Sequence, residues 1–429
     1  MLRKFIKTLF FPHIRQHTSK AYTDFIGRKY LQKALENYED IKFMPFRLRD
    51  CELRESFAKA HIDVVQYLRD ERGVREPYTV TKEDFITGRV KTHVVPFSSI
   101  FYSGFDAMRK NLGGRTDLAH VDLAANAFVT GFLNNKDYHE QCLQSVLDND
   151  QRNEVSVVLA NHLFSRLIVS QGMTYCVSKD TKDKWHECPC TLRCGDKNIY
   201  GNTNFGSEHL WYGKPDIMLF PMGGISCVVI VPKSFGEDED ISQQDELVFK
   251  ISKEESNILK GSVQSLREYD NVQQITALTI TFSMLQKRKQ MKSNSHISSS
   301  DYLIPVVATD GEFFDIYMYS AENDILLRNT GNPIPLWIES FENPSFPKLN
   351  MSSILQLWMI INHTSIRPSL NEDDMKMLTD SCGFMSKLSP DLLDKIEGTI
   401  KMKTKFRTFK EPEFDFKMLK LAQSKVLPS

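Results

Sequence analysis

The sequence predicts an α/β protein, a small mixed β-sheet flanked by helices with mainly helical additions at both ends. Three observations predict this class. Ile217–Phe220 and residues 225–231 are apolar runs parted by Pro221, Met222, Gly223 and Gly224, a turn composition, so they read as a hairpin. Ahead of them, residues 153–169 space Val155, Val158, Leu159, Leu163, Leu167 and Ile168 at the helical period. Behind them, residues 256–289 set Val263, Leu266, Val272, Ile275, Leu278, Thr279, Phe282 and Leu285 on one broad apolar face.

Composition bounds the rest. A chain of 429 residues is long enough for two or three cores, and 41% hydrophobic with 25% charged residues argues against wholesale disorder. The formal net charge of −1 leaves any attraction to a phosphate backbone to local basic patches. No apolar run approaches the length of a membrane-spanning helix, so no integral membrane association is expected. Eight scattered cysteines without a secretory signal predict reduced thiols and an intracellular setting, cytoplasmic or nuclear.

Residues 1–22 carry Arg3, Lys4, Lys7, Arg15 and Lys20 among Phe5, Ile6, Leu9 and Phe10, with no acid before Asp24. This is the composition of a mitochondrial presequence, and also of a basic amphipathic segment that docks on the body. Residues 23–150 read as mainly helical, from Phe25, Tyr30, Leu31, Leu35 and Tyr38 and then Phe57, Ala60, Val64, Val65 and Leu68 at spacings of three and four. The α/β core is expected over 151–328. It contains the 153–169 helix, a short strand at 173–177, the hairpin, the long helix, and a second hairpin around Asp310 and Gly311. Residues 329–429 read as mainly helical, with Lys401, Lys403, Lys405, Arg407 and Lys410 as a basic strip, phosphate-facing or solubilising.

Within the core the chemistry-bearing residues bracket the first hairpin. Asp216 opens its first strand and Lys233 follows its second, so pairing brings a carboxylate and an ammonium to one region. Gly213, Lys214, Pro215 and Asp216, followed by Lys233, resemble the motif of the PD-(D/E)XK nuclease superfamily over roughly residues 150–330. The resemblance implies a restriction-endonuclease-like core and a Mg²⁺-dependent phosphodiesterase site. It also implies a glutamate on the helix before the first core strand, matched by Glu154, and a glutamine on the helix after the third, matched by Gln273 or Gln274. Glu154 stands equally where an acid complements a helix N-terminus, and Gln273 where a polar residue hydrogen-bonds in a core.

The chain departs from the family at Val231, where a second metal-binding Asp or Glu is expected; Pro232 lies between it and Lys233. With one carboxylate of two missing, Mg²⁺ would need a relocated ligand, for which Glu208 is the candidate beside Asp216. The expectation is a catalytically impaired nuclease-like protein with a DNA, RNA or protein partner. An active enzyme using Glu208 and a pure interaction scaffold are the alternatives. P-loop, dinucleotide-binding, zincin and nucleophile-elbow motifs are absent from the sequence.

Three further stretches carry expectations. The excursion holding His186, Cys188, Cys190 and Cys194 has soft ligands at H-x-C-x-C-x₃-C spacing, which does not match paired C-x₂₋₄-C knuckles, and predicts that the three thiols do not share an ion. The acidic block at 236–255 reads as a solvated loop. Lys287, Arg288 and Lys289 read as a helix end that either meets phosphate or complements the carbonyl pole.

Overall fold

The computed structural model describes residues 20–67, 69–70, 90–91, 93–114, 120–147, 152–168, 174–178, 187–220, 227–231, 269–292, 303–330, 333–338 and 347–402. Lys233, His186, the acidic block, the Ser-rich stretch at 293–300 and the basic strip beyond Met402 lie outside the described residues, as does the basic N-terminal segment up to residue 19.

The centre is one mixed sheet. Its strands are β1 (Lys42–Cys51), β2 (Ile62–Gln66), β3 (Thr174–Ser178), β4 (Tyr200–Gly201), β5 (Ile217–Phe220), β6 (Cys227–Ile230), β7 (Ile304–Thr309), β8 (Phe313–Ser320) and β9 (Ile325–Asn329). They lie in the order β2-β1-β9-β8-β7-β6-β5-β3-β4, and short strands Val95–Pro96 and Ile334–Pro335 pair with β1 and β8. The predicted hairpin forms, with Ile217 opposite Val229 and Leu219 opposite Cys227. β6 then runs parallel to β7, with Val229 beside Val307, and such a pair requires a crossover, supplied by the chain through α3 (Tyr269–Lys292). In chain order the core reads helix, strand, the two-residue strand β4, hairpin, helix, hairpin, so β4 is an addition to the expected order.

Both sheet faces are buried, which explains why its strands read as continuous apolar runs rather than alternating ones. Cys227, Val229 and Val231 pack with Ile217 and Leu219 in a cluster shared with α2 (Arg152–Leu159) and α4 (Met351–Ile361). Val228 and Ile230 join Met218 in a second cluster on the opposite face, shared with α3. The α3 stretch expected to be amphipathic is buried all round from Ile275 to Gln286. A second layer encloses it, made of Phe57, Phe205, Trp211 and Phe384 with the C-terminal residues to Ile400. Thr279 and Ser283 reconcile burial with polarity: Thr279 donates to the Ile275 carbonyl at 2.7 Å and Ser283 to that of Tyr319 at 2.9 Å.

Two expectations are corrected. Residues 42–51 and 62–66 are strands of the main sheet, so the region read as helical helps to build the core sheet. Pro45 in the interior of residues 42–51 would break a helix, and in the strand it leaves one position without a donor; the three-and-four spacing around Val64 and Val65 is too short to separate the two periods. Lys20–Glu36 and the segments between Tyr102 and Leu167 are helical as predicted. The basic end of α3 is also engaged internally. Arg288 donates to the carbonyls of Gly398 and Ile400, the former at 2.7 Å, and Lys287 pairs with Glu322 at 2.9 Å.

The lead-in to β5 is held by a small second sheet in which Trp211–Gly213 pairs with Phe205–Gly206 and with Glu55–Ser56. Gly206 has φ +122°, and a side chain there would run into the Trp211 carbonyl and within 2.6 Å of Tyr212 Cα. Only glycine fits this approach. Among the described residues no helix is long and apolar enough to cross a membrane.

Candidate functional site

The Pro-Asp lead-in is clamped by its backbone. Thr203 Oγ donates to the Pro215 carbonyl at 2.7 Å, the Ser178 N–H to the Asp216 carbonyl at 2.9 Å, and the Asp216 N–H to Val229 at 3.1 Å. Asp216 itself is 8% exposed, and its Oδ2 accepts the Val231 N–H at 2.8 Å. The cause is local. Pro232 cannot continue the ladder, and a buried backbone N–H at the strand end needs an acceptor, which the carboxylate provides.

The other predicted residues are dispersed. Val231, in the second acid's place, is 2% exposed, with its side chain inside the apolar cluster shared with α2. Glu154 is half-buried in the first turn of α2. Its neighbour Val155 lies against Gly311, just past the end of β7. Glu208 belongs to an exposed turn, its side chain 80% accessible and 3.8 Å from His209 Nε2. Gln273 is half-buried near the start of α3, ahead of the enclosed stretch, and Lys233 lies outside the described residues.

A different set of side chains does converge. Between β3 and β4 the chain forms a hairpin in which Glu187 pairs with Lys197 and the Cys188 N–H donates to the Asp196 carbonyl at 2.8 Å. Its turn passes through two left-handed residues, Arg193 at φ 46° and Gly195 at φ 77°. That turn folds Cys194 back on Cys190. The helix of α2 continues through a π-turn, Ala160–Phe164, which rotates His162 towards the hairpin. One ligand atom from each of His162, Cys188, Cys190 and Cys194 lies within 4.8 Å of all the others. His162 Nε2 is 3.4 Å from both Cys188 Sγ and Cys194 Sγ.

The three thiols, expected not to share an ion, thus stand within reach of one another and of a histidine. The spacing argument took His186 as the fourth partner. Among the described residues the histidine beside the thiols is His162, from a helix 26 residues before Cys188. The only trace of it in the sequence is a histidine inside the apolar period of residues 153–169.

Around the cluster, polar side chains bind the hairpin to the helix. Asn161 donates to Asn198 at 2.7 Å and accepts from the Tyr175 hydroxyl, and Arg166 pairs with Asp196 at 3.1 Å. The buried Cys142 thiol lies beside Cys190. Burial pushes the Cys188 thiol well up, Cys194 up to about 11 and Cys142 up to about 12, while it lowers His162 to about 4.

Comparison with family models, curated proteins and solved structures finds no match to this chain.

Proposed function

We propose that the chain is a nuclease-like protein of the PD-(D/E)XK type that has lost phosphodiester hydrolysis and acts by binding, its partner a nucleic acid or a protein. One observation carries this reading: the motif aspartate is engaged as the buried acceptor of the Val231 N–H, while an apolar valine stands where the second acid belongs. The order helix, strand, hairpin, helix, hairpin, with β4 as an addition, supports the nuclease-like part of the reading. Hydrolysis by such a site requires a divalent ion to orient the water and neutralise charge developing on the phosphate, which one structural carboxylate supplies poorly.

A second reading, an active Mg²⁺-dependent nuclease, draws on Glu154, whose neighbour Val155 lies against Gly311 past the end of β7. Cleavage assays on single-stranded and double-stranded DNA and RNA with Mg²⁺ or Mn²⁺, run beside Asp216→Ala, separate the two. No metal-dependent cleavage is expected from either protein. Robust cleavage that vanishes in Asp216→Ala would overturn the proposal and establish the enzyme. Binding of the same substrates, titrated with salt, then separates a nucleic-acid partner, whose affinity falls steeply as salt rises, from a protein partner.

A further inference from the structure

The geometry points to a structural Zn²⁺ ion held by His162 Nε2 and the thiolates of Cys188, Cys190 and Cys194, fastening the 187–201 hairpin to the helix that continues α2. The donor set is the first ground. Three sulfurs and one imidazole nitrogen form a soft, closed four-ligand set of the kind that selects zinc among the divalent ions.

Spacing is the second. With Zn–S near 2.3 Å and Zn–N near 2.0–2.1 Å, a tetrahedron places nitrogen and sulfur about 3.6 Å apart and two sulfurs about 3.8 Å apart. His162 Nε2 stands 3.4 Å from two sulfurs at once, and all four ligand atoms fall within 4.8 Å of each other. A hydrogen-bonded imidazole does not explain this, because Nε2 has one lone pair or one proton to share between two thiols. The Nδ1 atom, buried and with no hydrogen-bond partner among the described residues, carries the ring proton when Nε2 ligates.

The backbone is the third ground. The Cys194 N–H is directed at Cys190 Sγ and the Asp196 N–H at Cys194 Sγ, each at 3.4 Å. Sulfur is a weak acceptor as a thiol and a much better one as a thiolate, and a zinc ion would hold these sulfurs as thiolates. Cys142 stands outside the four-ligand set.

With all four positions taken by protein, no site is left for a water or substrate, so the ion acts as a staple. It supplies to a polar, turn-rich excursion the cross-link that its own small apolar content does not. The inference is independent of the nuclease-like reading, which no result below touches.

The test is the metal content of the full chain expressed with zinc supplied and purified without chelator. Co²⁺ exchange follows, read by thiolate-to-metal charge transfer and tetrahedral ligand-field bands. One zinc per chain is expected, falling to background in Cys188→Ser and Cys194→Ser and unchanged in Cys51→Ser. Zinc at background in the wild type with no Co²⁺ spectrum overturns the proposal. Iron at one equivalent that zinc does not displace, or zinc retained in both cluster variants, overturns it equally. Should the serine variants fail to fold, wild-type stoichiometry and the Co²⁺ spectrum decide alone.

Discussion

Val231→Glu, the substitution that restores the motif's second acid, is expected to destabilise the protein by on the order of 3–5 kcal/mol and to create no metal site. Val231 is 2% exposed and packs among Ile217, Leu219 and Val229, so an introduced carboxyl enters an apolar core. The Asp216 carboxylate accepts the residue's own N–H at 2.8 Å. Desolvation and the neighbouring like charge both raise the introduced carboxyl's pKa in the folded state above its unfolded value near 4.3. The sign follows: below the unfolded value both states are protonated and only the packing loss remains. As pH rises towards the folded value the unfolded chain ionises first, and stability falls further. Urea unfolding at pH 4 and pH 7 checks it, with the larger deficit expected at pH 7. A variant as stable as wild type and binding Mg²⁺ would show that position 231 opens onto a site.

Trp211→Ala is expected to cost about 3–5 kcal/mol. The indole is fully buried, stacks obliquely on Phe384 at 5.5 Å between ring centres, and donates its N–H to the Glu52 carbonyl at 2.8 Å. It therefore joins the lead-in to Asp216, the loop after β1 and the C-terminal layer. Trp211→Phe keeps most of the ring and loses the hydrogen bond and some volume, for an expected cost of about 1–2 kcal/mol. Denaturant titration of the two variants separates packing from hydrogen bonding. Equal losses would show that the indole N–H, rather than ring volume, holds this corner.

How far the fold was legible follows from the range of the signals. The hairpin of β5 and β6 was readable because its turn residues and apolar runs are adjacent, and the same holds for β7 with β8. β1 was not, because it is specified by pairing with β9, nearly 300 residues away in sequence, and that pairing leaves no local mark: Phe43 lies opposite Asn329 and Phe46 opposite Leu326. α3 was found, but its enclosure was not, since a second layer against its far side comes from residues around 57, 211 and 384.

The same distinction governs the sites. Asp216 was located from its motif, and its role as acceptor for Val231 follows from Pro232, a local fact. The grouping of the thiols with His162 was not legible because cysteine spacing alone was weighed, while the histidine arrives from another element through a π-turn that no sequence period signals.

Asp216→Ala, compared with Asp216→Asn in equilibrium unfolding with and without Mg²⁺, tests most directly the claim that this carboxylate serves the fold rather than a metal. The Ala variant should lose about 1–3 kcal/mol, because the Val231 N–H is left buried without its acceptor, and the Asn variant, which keeps an oxygen there, should recover most of that loss. Mg²⁺ should leave the wild-type midpoint unchanged. An Ala variant as stable as wild type, together with a Mg²⁺-dependent rise in the wild-type midpoint that Asp216→Ala abolishes, would contradict the account.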